Sequence, residues 1–266
     1  MATVLAMRNV IRGLVFAVIG LGLGIAFAKL LTSVTGRPLE EPAVALGYLL
    51  ALIGWILGVG LWDVWAKEWF GLSPKVSNET GWGRYFTFSI DHKVIGVQYL
   101  ITFVVIFLLA GFLSILMRIE LIDSGKVIMG DDLYNTTMSL HGIMMVAVAV
   151  ATIIGGFANF VVPLMIGAED VAFPRINALS FWIIPPVAVL LLLTPLFGGF
   201  DSGWTAYPPL SVINANGQLL FLLAFITFGL SSILGGLNFI VTIVMLRAPG
   251  LTWSRLPIFV WGVFSA

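Results

Sequence analysis

The chain has 266 residues, of which 60% are hydrophobic and only 10% are charged, and its mean hydropathy is +1.08. A soluble protein carries roughly 25% charged residues, so this composition excludes a soluble globular domain and indicates several membrane spans. Thirteen basic residues balance thirteen acidic ones, which leaves no basic surface for a nucleic acid, and the absence of cysteine excludes disulfides, zinc–thiolate sites, iron–sulfur clusters and thiol nucleophiles.

Six apolar runs are long enough to cross a hydrocarbon layer about 30 Å thick, which takes about 20 helical residues. In chain order they are Gly13–Leu31, Ala43–Leu61, Val94–Met117, Asn135–Val161, Ala178–Phe197 and Gln218–Leu246. A seventh run, Leu256–Ala266, has about half the length of a span. Since a helix cannot end in mid-bilayer with unsatisfied carbonyl groups, we expect the natural protein to continue. These runs predict an all-α polytopic membrane protein.

The first two runs are set apart from the others by the polar stretch at residues 71–89. We therefore predict an additional N-terminal two-span hairpin at residues 1–75 and a larger helix bundle at residues 76–266. The chain starts with a basic and then apolar segment, but no A-x-A cleavage site follows it, so we expect a retained span and not a signal peptide. Gly20 and Gly24 in the first run are small residues of the kind that lets membrane helices approach each other.

The basic residues of the loops predict the orientation of the spans. If the N-terminus lies inside, nine basic residues lie in inside segments: Arg8, Arg12, Lys67, Lys75, Arg84, Lys93, Arg175, Arg247 and Arg255. Four lie in outside segments: Lys29, Arg37, Arg118 and Lys126. This excess favours an inside N-terminus. It also places His141 near the outer face and Asp170 near the inner face.

His141 is one of only two histidines, and it lies about six residues inside the fourth run, which is roughly 9–10 Å deep. An unpaired polar group at that depth costs several kcal/mol, so the imidazole requires a partner. In a chain without cysteine, a haem iron is one candidate, and a hydrogen bond to a neighbouring helix is the other. Arg118 and Tyr134 flank the same region, and a guanidinium there is either a boundary charge or a partner for the edge of a haem. The position of His92 between Asp91 and Lys93 favours a structural role for this histidine.

Polar side chains also mark the inner half of the later runs. Asp170, in a short inside loop, is either a solvated loop carboxylate or the start of a file of waters leading into the membrane, as proton-conducting proteins require. The other polar residues on that side are Asn159, Asn177, Ser180, Ser231, Ser232 and Asn238.

Several segments resemble those of cytochrome c oxidase subunit I, the catalytic subunit of the haem-copper oxidases. They are DHKVIGVQYL, MRIEL, YNTTMSLHGIMM, GGFANFVVPLMIGAEDVAFPRIN, SFWIIPP, GWTAYPPLS and SSILGGLNFIVT, and they occur in the family's order between Asp91 and Ala266. The resemblance implies a partial haem-copper oxidase subunit I bundle, with core helices one to four and the start of the fifth. The first two spans have no counterpart in this resemblance.

The resemblance also implies roles for individual residues. His141 matches an axial ligand of the low-spin haem, which would be haem a, and Arg118, Ser114 and Tyr134 match residues around that haem. Glu120 and Gly125 match an outer cation site of some members. Asp170 matches the mouth of the D-pathway for protons, with Asn159, Asn177, Tyr99, Ser180, Ser231, Ser232 and Asn238 following it.

The family reduces dioxygen to water and couples this reaction to proton pumping. The resemblance implies a bacterial cytoplasmic membrane, subunits II and III as partners, and cytochrome c as electron donor. A high-spin haem and copper B are expected in the complete protein, because their ligands lie on later helices of the family and not in this chain. The alternatives are a quinol-oxidising member of the same superfamily, a haem-free proton or ion transporter, and a purely structural membrane subunit.

Overall fold

The computed structural model describes residues 2–36, 40–74, 81–213 and 215–266, and these residues form helices and no β-strand. Six helical segments in them are long and apolar enough to cross a membrane: Met7–Thr35, Pro42–Trp69, His92–Glu120, Asp131–Ile166, Pro174–Phe197 and Asn216–Met245. The predicted all-α polytopic class and its six full spans are therefore confirmed. The boundary predicted at residue 75 lies outside the described residues, as do two of the loop charges, Arg37 and Lys75.

The chain divides into two compact units, one with residues 1–95 and 174–183 and the other with residues 96–173 and 184–266. In the first unit, helix α1 (Ala2–Thr35) packs against α2 (Glu40–Ile56). Gly24 faces Gly47, and Gly20 faces Leu50, so the two helices are antiparallel. A Cβ atom on Gly24 would lie 2.5 Å from the Cα atom of Gly47, which shows that the two backbones touch and leave no space for a side chain.

Beyond α2 the segment Leu57–Ala66 is helical on either side of a kink at Gly60, and it is followed by the short helix α3 (Lys67–Trp69). Gly60 in this segment has a φ of +146°, which glycine adopts readily, and the side chain of Phe88 fills the space where its Cβ atom would lie. Arg12 of α1 donates a hydrogen bond from Nε to the carbonyl of Gly58 (2.6 Å) and forms an ion pair with Asp63 (2.5 Å). These contacts join α1 to the segment Leu57–Ala66, near the start of α1.

The remaining long helices are α4 (His92–Glu120), α5 (Asp131–Ile143), α6 (Val150–Ile166), α7 (Pro174–Leu193), α8 (Ala215–Met245) and α9 (Ile258–Ser265). They belong to the second unit except for the start of α4, up to residue 95, and the first half of α7, residues 174–183, which belong to the first. A π-helical segment, Met144–Ala149, joins α5 to α6, so that the two form one continuous run. A buried cluster joins α6, α8 and α9 through residues spaced about one helical turn apart: Ala158, Val162, Ile166, Phe239, Ile243, Leu256 and Val260.

Candidate functional site

His141, in the last turn of α5, is half-buried, and its ring reaches the neighbouring helix α4. Its Nδ1 atom lies 2.9 Å from the carbonyl oxygen of Ala110. Because a carbonyl oxygen can only accept, Nδ1 must carry the proton, and the lone pair of the neutral ring then lies on Nε2. This hydrogen bond fixes both the orientation and the tautomer of the imidazole, as found for histidines that bind a metal through the other nitrogen.

Two glycines directly follow the two residues that form this hydrogen bond. A Cβ atom on Gly111 would have no atom within 4 Å, and one on Gly142 would meet only Cδ1 of Trp204, at 3.9 Å. Neither position is therefore filled by the surrounding protein.

The other residues predicted for this site lie between His141 and the loop at residues 121–130. On α4, Ser114 and Arg118 follow Ala110 at intervals of four, so the three lie along one face, with Arg118 about 12 Å from Ala110 along the axis. On α5, Tyr134 precedes His141 by seven residues, which is two turns, or about 10 Å. Arg118 is exposed and Tyr134 is half-buried, whereas the Ser114 hydroxyl donates to the carbonyl of Gly111 at 2.7 Å.

Glu120 ends α4 and holds the following loop. Its carboxylate accepts hydrogen bonds from three backbone N–H groups, those of Val127 (3.0 Å), Ile128 (2.7 Å) and Met129 (2.8 Å). Gly125 occupies a turn of the same loop with a φ of +85°. In the described part of the chain there is no group of three or more His, Asp or Glu side chains that could hold a metal ion. The cation site at Glu120 and Gly125 stays a prediction.

Asp170 lies in the turn between α6 and α7 and is half-buried. One of its carboxylate oxygens accepts the N–H of Val171 at 2.7 Å. The amide of Asn238, which is fully buried on α8, accepts the N–H of Phe173 at 2.9 Å and donates to the carbonyl of Phe173. One turn further along α8, the hydroxyl of Thr242 accepts the N–H of Ala172 at 2.9 Å. The turn that carries Asp170 is therefore held by two side chains of α8.

Thr242 was not among the predicted site residues. The signal that could have identified it is its position four residues after Asn238, which places both on one face of α8. Thr242 is fully buried, and its hydroxyl donates to the carbonyl of Asn238 at 2.6 Å, so it belongs to the same polar cluster.

Tyr99 and Asn159 meet at Gly155. The buried amide of Asn159 donates to the carbonyl of Gly155 at 2.8 Å, and a Cβ atom on Gly155 would lie 3.4 Å from the ring of Tyr99. The structure therefore brings these two predicted residues together. On α8, Ser231 is buried but the next residue, Ser232, is exposed, because consecutive helical residues point in different directions.

Asn177 and Ser180 lie in the first two turns of α7, which belong to the first unit, and both are fully buried. The hydroxyl of Ser180 donates to the carbonyl of Asn177 at 2.8 Å. Arg175, two residues before Asn177, forms an ion pair with Glu68 of α3 through two hydrogen bonds of 2.5 and 2.6 Å. His92, at the start of α4, is buried.

The fold and these sites define an integral multi-pass membrane protein that carries an oriented histidine and several buried polar clusters. Residues 94–266 match the family model described as cytochrome c and quinol oxidase polypeptide I. The chain belongs to this family.

Curated relatives agree with this assignment. Cytochrome c oxidase subunit 1 of Thermostichus vulcanus is 49% identical over 186 residues, which is 69% of this chain and 34% of that protein. Cytochrome c oxidase subunit 1 of Synechocystis sp. is 40% identical over 185 residues, again 69% of this chain and 34% of that protein. The probable cytochrome c oxidase subunit 1-beta of Nocardia farcinica is 42% identical over 186 residues, which is 68% of this chain and 32% of that protein. The chain thus spans about a third of the length of these relatives.

Proposed function

We propose that this chain forms the low-spin haem-binding and proton-uptake part of subunit I of a haem-copper terminal oxidase. The structural observation that supports the proposal is the hydrogen bond from His141 Nδ1 to the carbonyl of Ala110, which leaves Nε2 free to bind a metal. Membership in the oxidase family supports the same reading and disfavours the alternatives of a haem-free transporter and a purely structural subunit.

The residues around His141 fit a low-spin haem, which we propose to be haem a. Nε2 of His141 would bind the iron, because Nδ1 is held by the carbonyl of Ala110. Arg118, Ser114 and Tyr134 lie between His141 and the loop, where Arg118 would bind an anionic or carbonyl substituent by charge-assisted hydrogen bonds. When bound, the haem supplies one-electron chemistry, and the protein sets its potential through the ligand and the nearby charge.

Proton uptake is proposed for the second set of polar residues. The carboxylate of Asp170, at the mouth of the path, collects protons and raises their local concentration. The amides of Asn159, Asn177 and Asn238, with Tyr99 and the hydroxyls of Ser180, Ser231 and Ser232, carry no charge and instead orient water by hydrogen bonding. Thr242 joins this set through its contact with Asn238.

The activity proposed for the complete protein is reduction of dioxygen to water, coupled to proton pumping across a bacterial cytoplasmic membrane, with the N-terminus inside. The high-spin haem and copper B would be held by the rest of such a subunit. Subunits II and III are the proposed partners. The family description includes both cytochrome c and quinol oxidases, and the relatives named as cytochrome c oxidases favour cytochrome c as the donor over a quinol.

The test replaces each of the two histidines in the complete oxidase. We expect His141→Ala to remove the low-spin haem absorption band and to lower the haem content measured as the pyridine haemochrome. His92→Gln is the control and should retain both, because His92 lies at the opposite end of α4 from Glu120 and does not bind haem in this proposal. A His141→Ala enzyme with the parent's haem content and spectrum would refute the assignment.

A further inference from the structure

We infer that the N-terminal hairpin holds the start of α7 in place, and that Glu68 is a positioning residue for proton uptake. The inference rests on the proposed uptake function of Asn177 and Ser180. The two hairpin residues on which it depends, Trp55 and Glu68, lie before the part of the chain that the family model matches, which begins at residue 94.

The first contact is made by Trp55 of α2, whose indole Nε1 donates a hydrogen bond to the carbonyl oxygen of Trp182 at 2.8 Å. In a regular helix that carbonyl would accept the N–H of residue 186, but Pro186 has no N–H. A carbonyl without a partner is costly inside a membrane. Trp55 and Trp182 are both buried, with ring centroids 6.1 Å apart, so the hairpin supplies the hydrogen bond that the proline removes.

The second contact is the ion pair between Glu68 of α3 and Arg175 in the first turn of α7. Both carboxylate oxygens accept from the two terminal nitrogens of the guanidinium, at 2.5 and 2.6 Å. This two-point geometry fixes the orientation of the arginine as well as neutralising its charge. Arg175 needs such a partner, because a positive charge at the N-terminus of a helix is repelled by the helix dipole.

The two contacts lie on either side of the buried polar pair on α7. Arg175 and Trp182 are seven residues apart, or about 10 Å along the axis, and Asn177 and Ser180 lie between them. Attachment at two points restricts both the position and the tilt of this segment. Glu68 also neutralises the positive charge of Arg175, which is only two residues from Asn177. At that separation, which is shorter than the screening distance of about 8–10 Å, an unpaired guanidinium would repel an incoming proton.

Glu68 is tested in the complete oxidase in vesicles at low salt. We expect Glu68→Gln to lower turnover about 2- to 5-fold, the size of effect typical for loss of a partly exposed ion pair, and to lower the protons pumped per electron. The charge-swapped variant, Glu68→Arg with Arg175→Glu, should restore both values, which an effect of the single substitution unrelated to the ion pair would not allow. Parent-like values for Glu68→Gln, or no recovery in the swapped variant, would overturn the role of Glu68.

The Trp55 contact is tested by hydrogen–deuterium exchange, which does not depend on activity. We expect Trp55→Phe to increase the exchange rate of the amides of residues 178–183 several-fold. Trp82→Phe is the control, because Trp82 is 77% exposed and lies in the same unit. Equal exchange in the two variants would overturn the anchoring role. Glu68→Gln should raise exchange in the same segment, and this provides a second reading if Trp55→Phe does not fold.

Asp170→Asn separates this inference from the proposed function. If it leaves turnover and pumping unchanged, the uptake function fails, whatever Glu68 does. If it lowers them while Glu68→Gln behaves like the parent, only the positioning inference fails.

Discussion

The imidazole of His141 illustrates how single polar residues are accommodated in apolar helices. Its Nδ1 proton is satisfied by a backbone carbonyl of the next helix, which is the structural partner that one of the two sequence interpretations required. The same bond also meets the requirement of the other interpretation, since it orients Nε2 for a metal. At the scale of one residue, the hydrogen bond is thus compatible with both, and family membership favours the haem.

A fixed positive charge near a haem raises its reduction potential, because the charge favours the form with one more electron. We therefore expect Arg118→Met in the complete oxidase to lower the midpoint potential of the low-spin haem by on the order of 70 mV, which is the energy of a unit charge about 10 Å away at an effective dielectric constant near 20. The measurement is a spectroelectrochemical titration. Lys126→Met removes an exposed cation of the following loop and is the control. An unchanged midpoint potential in Arg118→Met would show that Arg118 is a boundary charge and does not act on the haem.

Among the secondary-structure elements, the N-terminal hairpin depends on close contact between backbones. The positions at Gly20 and Gly24 have no space for a side chain, because α2 lies directly against them. Gly22, between them in sequence, points away from α2, and a Cβ atom there would have no atom within 4 Å. The same helix therefore contains glycines required by packing and a glycine that packing does not require.

This difference predicts opposite effects for the same substitution. Gly24→Ala should destabilise the chain by about 1–3 kcal/mol, the usual cost of overpacking. Gly22→Ala should be neutral or stabilise it by up to about 1 kcal/mol, because alanine has the higher helix propensity. Thermal or denaturant unfolding of the full chain in detergent measures both. A Gly24→Ala chain as stable as the Gly22→Ala chain would contradict the observed contact.

For the whole molecule, the orientation of the chain in the membrane determines the face on which each of the two proposed sites lies. If the N-terminus lies inside, as proposed, the loop at residues 121–130 lies outside and the loop at residues 246–257 inside. The residues proposed to hold the haem then lie near the outer face and Asp170 near the inner face. Because the chain has no cysteine, a single introduced thiol can be labelled without background.

We expect a membrane-impermeant maleimide to label Asp123→Cys from the outer side of intact cells. Ser254→Cys should react only after the membrane is permeabilised. Both native residues are exposed in the structure, so neither thiol is hidden by the protein. The unmodified chain is the control and should give no signal. The reverse pattern would place the N-terminus outside and Asp170 on the face opposite to the one proposed.

The spans could be predicted from the sequence because the thickness of the bilayer sets their length. The ends of the helices are predicted less accurately. Hydropathy predicts that the fourth and fifth spans start at Asn135 and Ala178, whereas the helices start at Asp131 and Pro174. The reason is that hydropathy marks the part of a helix that lies in hydrocarbon, and a helix can continue beyond it. The oxidase motifs were equally accessible, since they are contiguous stretches of sequence.

Other features required the tertiary structure because they depend on residues far apart in sequence. Nothing in the sequence near Ala172 indicates that Thr242 accepts its N–H, or that Glu68 pairs with Arg175. The sequence likewise does not distinguish Ser231 from Ser232, of which only the first is buried. Hydropathy and motifs report the chemistry of each residue and its local neighbours. Only the packing of helices decides which polar groups meet, because each buried donor and acceptor needs a partner at hydrogen-bonding distance.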